Sequence, residues 1–393
     1  MSRPLPSSVA EYRAEAKRRL PRAIFDFIEG GAEDESTMRE NRHALDRIRL
    51  VPRILVDVSR RSLVVDVLGE TLALPIVLAP TGLAGLIHSD GEVAAALGAH
   101  SQSTQYIAPT VSTYSIEEVS NALDKPCWFQ LYPWGDRTLI KDLMGRAHQA
   151  GVRVLVVTVD APLAGNRERD RRNGLTLPPR MTASNAVELL RHPRWTVRTL
   201  WRRRVSVPNL DATAGRDLRK AVSLVARSVN LFNPAIQLSD LEWIRGAWAG
   251  RLAVKGILSV EDAQRVVSVG ADAVIVSNHG GRQLDGAVAS ISALPSIVSA
   301  VGERVDVLMD GGIRRGVDVV RALSLGAKAC LIGRPYLYGL GAYGQRGVEG
   351  VISVFRQELD RCMALIGETD VKALHASTQL RHWYGPESFG RAD

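Results

Sequence analysis

Short apolar runs recur along most of the chain, at spacings that leave room for a helix between neighbours. They fall at 74–80, 104–110, 127–132, 153–160, 251–256, 271–278, 304–312 and 328–333. Together they are rich in Val, Ile and Leu and nearly continuous, as suits strands buried on both faces. Helix-like stretches such as 259–270 and 316–326 separate them, closed by Gly270 and Gly326 where a C-terminal cap belongs. Eight strands alternating with helices predict an α/β protein, a TIM (β/α)8 barrel. A doubly wound sheet is the competing arrangement. It usually carries a GxGxxG turn after its first strand, and none is found at that place.

Two stretches stand outside the alternation. Residues 8–47 read as polar helix with breaks at Pro21 and Gly30-Gly31, an N-terminal helical cover. Between Asp160 and Leu252 no convincing barrel strand appears, so a long excursion follows the fourth strand. Excursions there leave the catalytic face and serve as lids or docking arms. The expected organisation is one domain over residues 1–393, with 177–215 as a membrane-surface or lid segment inside it.

Composition narrows the function classes. Hydrophobic residues at 46% and charged residues at 23% are ordinary for a globular protein. The net charge of +8 asks for an anionic partner: nucleic acid, anionic lipid or an acidic small molecule. No nucleic-acid-binding motif is present and the arginines cluster in the excursion, which argues against nucleic acid. Cys127, Cys330 and Cys362 are far apart and form no CxxC pair, so neither a disulfide framework nor a zinc site is expected, and a reducing compartment is. The N-terminus lacks the apolar centre of a secretory signal, and the longest uncharged run, 71–89, contains Pro75 and Pro80. No spanning helix is expected. Between Arg180 and Arg204 seven arginines accompany a single acid, Glu188. Arg194, Arg198 and Arg202 recur on one helical side, and Val197, Leu200 and Trp201 on another. That is the pattern of a helix in an anionic lipid interface, or of a basic lid over the site.

In a barrel of this kind the chemistry sits at the C-terminal strand ends. Those ends carry Ala79-Pro80-Thr81-Gly82, Gln130 and Tyr132, Thr158 and Asp160 with Arg167 just after, Lys255, then Ser277, His279 and Arg282. The last two carry Asp310-Gly311-Gly312 with Arg314, and Gly333-Arg334. Polar groups at nearly every end of apolar strands are costly unless they line a site. Glycines that admit backbone amides, with two forked guanidiniums in the seventh and eighth loops, point to a phosphate. His279 can take a proton near neutral pH, Arg282 can hold a carboxylate beside it, and Asp160 can stabilise the charged imidazole. Lys255 can offset negative charge developing on a cofactor. A Schiff-base aldolase built on Lys255 is a rival of a different class.

The segments LPRAIFDFIEGGAEDE, LVDVSRRSL, APTG, FQLY, TVDAP with GNRERD, VKGI, SNHGGRQLD, DGGIRRG and GRPYLYGL occur in this order. From Tyr12 to Gly367 the chain thus resembles the FMN-dependent 2-hydroxy acid dehydrogenase and oxidase family, most of all its mandelate dehydrogenase members, with lactate dehydrogenases and glycolate oxidases beside them. The resemblance implies oxidation of an L-2-hydroxy acid, mandelate-like or lactate, to the 2-oxo acid. It implies His279 as base with Asp160 as charge partner, Arg167, Arg282 and Tyr132 on the substrate, and Lys255 at the flavin ring. Gln130, Thr158, Ser277, Thr110 and residues 79–82 would surround the ring. Asp310, Gly311, Gly312, Arg314, Gly333 and Arg334 would reach the rest of FMN, its phosphate above all. A homotetramer is implied. Gly82 and the basic excursion favour a dehydrogenase feeding a quinone or other membrane acceptor, peripheral on the inner face of the cell membrane; a glycolate-type oxidase using oxygen is the alternative. Three positions depart from the family pattern: Phe27 for a substrate-touching tyrosine, Pro109 for a flavin-contacting hydroxyl with Thr110 adjacent, and Val111 for a bulky tryptophan.

Overall fold

The computed structural model describes residues 4–174, 183–202, 207–210 and 232–375. The barrel strands are β3 (Ile76–Leu78), β4 (Gln105–Ala108), β5 (Trp128–Leu131), β6 (Val154–Thr158), β7 (Arg251–Ile257), β8 (Ala273–Val276), β9 (Asp306–Met309) and β10 (Ala329–Ile332). All pair in parallel, and β10 closes on β3. Each lies within one of the eight apolar runs, except that β7 extends one residue past its own, so the predicted TIM barrel is the observed one.

Alternation along the strands divides the interior in two. Ile76 and Leu78, Phe129 and Leu131, Leu155 and Val157, and Val274 and Val276 belong to the large cluster that holds the helices. Val77, Ile107, Trp128, Val154, Val156, Ala253, Ile275, Leu308 and Leu331 fill the lumen. A strand shows successive side chains to opposite sides, so the inward parity continues upward into Ala79, Gln130, Thr158, Lys255, Ser277 and Asp310.

The cover is α1 (Val9–Arg19), α2 (Arg22–Glu29) and α3 (Ser36–Arg47). The barrel helices that follow are α4 (Gly91–Ser101), α5 (Ile116–Asn121) and α6 (Arg137–Gln149). The excursion carries α7 (Glu168–Arg172), α8 (Ala183–Arg191) and α9 (Pro193–Arg202). Next come α10 (Leu238–Ala247), α11 (Val260–Ser268), α12 (Ser290–Val301), α13 (Gly316–Ser324), α14 (Arg334–Tyr343) and α15 (Gln345–Ile366). Local chemistry explains several starts. Asp136 accepts from the amides of Thr138 and Leu139, and Ser259 from that of Asp262, each satisfying donors a helix leaves open.

Two features depart from the sequence reading. The excursion is shorter than its 160–252 limits, because α10 already packs on α11 as a regular barrel helix. A hairpin, β1 (Val65–Val67) with β2 (Glu70–Leu72), had no forecast. It turns through Leu68-Gly69, both at positive φ (52° and 82°). Val65, Val67, Leu68 and Leu72 join the lumen cluster, and the Leu68 amide donates to Asp306 at the first residue of β9. The hairpin therefore plugs the barrel at the end opposite the chemistry. The proposed 177–215 segment is described only over 183–202 and 207–210, with the side chains of Leu200, Trp201 and Arg202 outside the described residues.

Leu72→Ala, which empties part of this plug, is expected to cost about 2–5 kcal/mol of stability. The check is a lowered urea midpoint while the active-site end stays intact.

Candidate functional site

A cavity of about 360 Å³ opens at the C-terminal strand ends. Its wall includes Ala79, Pro80, Thr81, Gly82, Gln130, Tyr132, Arg167, Lys255, His279, Arg282, Asp310, Gly311, Gly312, Arg314, Gly333 and Arg334. Sixteen of the residues singled out in the sequence thus share one wall, although they come from seven strand ends. Asp160, Thr110, Thr158 and Ser277 are not on the wall and stand behind it as supports.

His279 is held by three features. Its backbone has φ +58°, its amide donates to Ser277 Oγ at 3.0 Å, and its Nδ1 lies 3.0 Å from Asp160 Oδ1. Burial would raise the Asp160 carboxyl, but the charges of His279 and Lys255 outweigh it and hold it below its ordinary range. An ionised Asp160 can only accept, so the His279 ring carries its proton on Nδ1 and turns Nε2 to the cavity. Gly256 makes the room. It has φ +107°, and a Cβ there would stand 2.5 Å from Asp160 Cβ.

Lys255 donates to Ser277 Oγ at 2.7 Å and pairs with Asp310 Oδ2 at 3.0 Å. Burial works against its charge, yet Asp310 and Asp160 prevail and raise it above the usual lysine range, so it stays protonated. Burial, with Asp160 second, pushes the Tyr132 hydroxyl up to about 12. The Tyr132 ring stacks on Trp134 at 5.9 Å and meets the edge of Phe232 at 5.4 Å.

Two arginines are clamped by the carboxyl end of α2. Arg282 Nη1 donates to the carbonyls of Phe27 (3.0 Å) and Gly30 (2.7 Å), with its guanidinium 5.4 Å from the centre of the Phe27 ring. Arg334 donates to the carbonyls of Ile28, Glu29, Gly30 and Gly280 at 2.8–3.1 Å. A helix C-terminus attracts cations and leaves carbonyls open, so this is the cover's contribution to the site. Burial, then Arg167 and Arg334, pushes Arg282 down to about 9. Arg334 is thus occupied with carbonyls, which separates it from Arg314, whose guanidinium makes one such bond, to Ile313.

The three departures resolve differently. The Phe27 ring and Val111 are on the cavity wall, as is Pro109. Thr110 is not: its hydroxyl donates to the Gln130 carbonyl at 2.6 Å and its amide to Gln130 Oε1 at 3.1 Å. It positions Gln130 instead of replacing the missing hydroxyl. Sequence reasoning passed over Asp170, Phe232 and Gln283. Gln283 lies inside the SNHGGRQLD motif and ties the strand-four end together through the carbonyls of Asp160 and Leu163 and the amide of Gly165. Phe232 follows the excursion, where no local pattern marks it.

The family model described as FMN-dependent dehydrogenase matches residues 16–381. The chain belongs to that family. It is 45% identical over 379 residues to an L-lactate dehydrogenase of Pseudomonas syringae, covering 95% of this chain and 98% of that one. It is 44% identical over 376 residues to an L-lactate oxidase of Nostoc, covering 95% and 97%. Among solved structures, the monotopic membrane protein (S)-mandelate dehydrogenase superposes with a TM-score of 0.89 at 38% identity, covering 94% and 97%. This FMN-dependent dehydrogenase is an oxidoreductase of 2-hydroxy acids.

The wall suits that cofactor. Gln130 Nε2, Thr158 Oγ1, Asp160 Oδ2 and Asp310 Oδ1 are buried without a hydrogen-bond partner among the described residues. Buried polar atoms of this kind ask for a polar ligand. Apolar faces from Leu83, Val111 and Leu331 suit a flat ring, and Arg314 beside Gly311-Gly312 suits a phosphate.

Gly256→Ala is expected to displace Asp160 and lower turnover about 10²-fold, while FMN content stays near parental. Absorbance of the purified variant and steady-state kinetics read the two quantities separately.

Proposed function

We propose that the chain oxidises an L-2-hydroxy acid, lactate or a bulkier mandelate-like acid, and delivers the electrons to a membrane acceptor such as quinone. The observation that carries the reading is the His279–Asp160 pair at 3.0 Å facing the cavity that Arg167, Arg282 and Lys255 also face.

FMN bound in this cavity supplies the two-electron acceptor. Arg282 and Arg167 bind the substrate carboxylate, and Tyr132 adds a neutral hydroxyl beside it. With Nδ1 committed to Asp160, His279 takes a substrate proton at Nε2, and Asp160 steadies the imidazolium that results. Lys255 offsets negative charge at the ring edge. Gln130 would offer a hydrogen bond to the ring, with Thr158 just behind it as a second donor, and the main chain of 79–82 would flank it. Gly311, Gly312, Arg314 and the α14 N-terminus at Gly333-Arg334 would hold the phosphate. Phe27 and Val111 leave the substrate's side group an apolar berth.

Two features support this acceptor. Gly82 has no room to spare: a Cβ there would meet the Val111 carbonyl at 2.8 Å, so the loop keeps the glycine form expected of a dehydrogenase. On the arm, Arg191, Arg194 and Arg198 are exposed together with Val187, Leu190 and Val197, which suits anionic lipid at the inner face of the membrane. Among the described residues no helix is long and apolar enough to cross a membrane. An oxygen-using oxidase is the second reading, favoured by the likeness to the Nostoc enzyme. A single domain and a homotetramer remain the proposed organisation.

Anaerobic mixing of the yellow holoenzyme with L-2-hydroxy acids is expected to bleach it, fastest with lactate or mandelate, and a quinone analogue should restore colour faster than oxygen. Bleaching by none of the acids defeats the reading, and preferential reoxidation by oxygen favours the oxidase. His279→Ala should keep its FMN and lose about 10²–10⁴-fold in the bleaching rate. Arg314→Ala should weaken FMN binding about 10- to 100-fold, the loss of one charge-assisted contact of about 1.5–3 kcal/mol, read by fluorescence on dilution.

A further inference from the structure

Asp170 is a carboxylate on the cavity wall to which the reaction so far assigns nothing. It is 8% exposed, and its Oδ2 lies 3.7 Å from Nε of Arg167, one turn earlier in the chain. It cannot swing out easily. Its helix, α7, is pinned to the cover: Arg169 pairs with Glu35, and Asn173 donates to Asp26 at 2.8 Å. The charged groups acting on it are Arg282 from the loop after β8, Arg167 from the start of α7, and Asp26 from α2. Burial, with Asp26 adding to it, holds its carboxyl above the ordinary range, and Arg282 and Arg167 offset only part of that rise. Its ionised form therefore leans on the same two guanidiniums that face the cavity.

We infer that Asp170 is the resident counter-charge of the substrate-carboxylate subsite, competing with the incoming carboxylate for Arg167 and Arg282 and so setting how tightly anions bind there. Two guanidiniums turned to one small cavity repel each other, and a fixed carboxylate holds them together before substrate arrives. An arriving carboxylate meets the same cations but also the repulsion of Asp170, which a low-dielectric cavity screens poorly. The 2-oxo acid product is an anion as well, so the same repulsion favours its release. Asp170 is a positioning residue in this role and takes no part in the proton transfer at His279.

The inference rests on the reading that Arg167 and Arg282 receive the carboxylate, and one set of titrations separates the two. The probe is 2-hydroxy-2-methylpropanoate, which has no hydrogen on C2 to lose, with its neutral amide as control. Both are titrated into holoenzyme at neutral pH and followed by the perturbation of flavin absorbance. In Asp170→Asn the carboxylate is expected to bind about five- to thirtyfold more tightly, and the amide within twofold of parent. Asp170→Ser, which removes the charge with a smaller group, should shift the carboxylate in the same direction. Unchanged or weaker carboxylate binding in both variants overturns the role of Asp170, as does an equal gain for the amide. Arg167→Met should weaken the carboxylate at least tenfold. If it does not, the underlying assignment of the arginines fails, a result distinct from a failure of Asp170 alone.

Discussion

A closed barrel of parallel strands gives every strand one inward parity, and that constraint organises the rest of the molecule. Apolar side chains occupy the lower inward positions, where Trp128, Ile107 and Leu308 meet the hairpin plug. Polar side chains occupy the inward positions above them, where the strands end and a ligand can satisfy them. Lys255 is the clearest case. One pleat up from Ala253 it is 3% exposed, and it stays charged because Asp310 from the end of β9 and Asp160 from the end of β6 reach it.

The arginines follow a second rule, that a buried guanidinium must find acceptors. Arg282 and Arg334 have theirs at the carboxyl end of α2, where the chain leaves carbonyls open and the helix dipole is negative. The N-terminal cover is thus part of the site. Gly30 O accepts from both arginines, which mechanically joins the loop after β8 to the end of β10. The Phe27 ring lies beside Arg282 as well, and an aromatic face is a favourable neighbour for a guanidinium.

Much of this was legible in the residues. The eight apolar runs match the eight strands to within a residue, and the residues singled out just past them supply about half of the cavity wall. The misses have physical causes. The hairpin at 65–72 offers two three-residue strands and a turn through Leu68, too short for a periodicity to register. Helix α10 was absorbed into the excursion although Asn233-Pro234 marks a turn just before it, because no apolar strand run separates the two. Thr110 was expected to touch the cofactor from its place beside Pro109, but its side chain turned to Gln130 on the next strand. Asp170 reads in sequence as one more charge in an Arg-rich helix, and only burial beside Arg167 distinguishes it.

The sequence by itself determined the element order, the barrel class, the inward parity of each strand and the residue types at each strand end, because these depend on side-chain period and composition within a few residues. Tertiary structure alone decided which of those ends meet. Asp160 and His279 are 119 residues apart, and Arg282 and Phe27 are 255 apart. No local pattern encodes the packing that brings them within 3.0 Å of each other. The same holds for who receives each donor: whether a guanidinium grips a carbonyl, a carboxylate or open cavity depends on what the rest of the chain has left unsatisfied beside it.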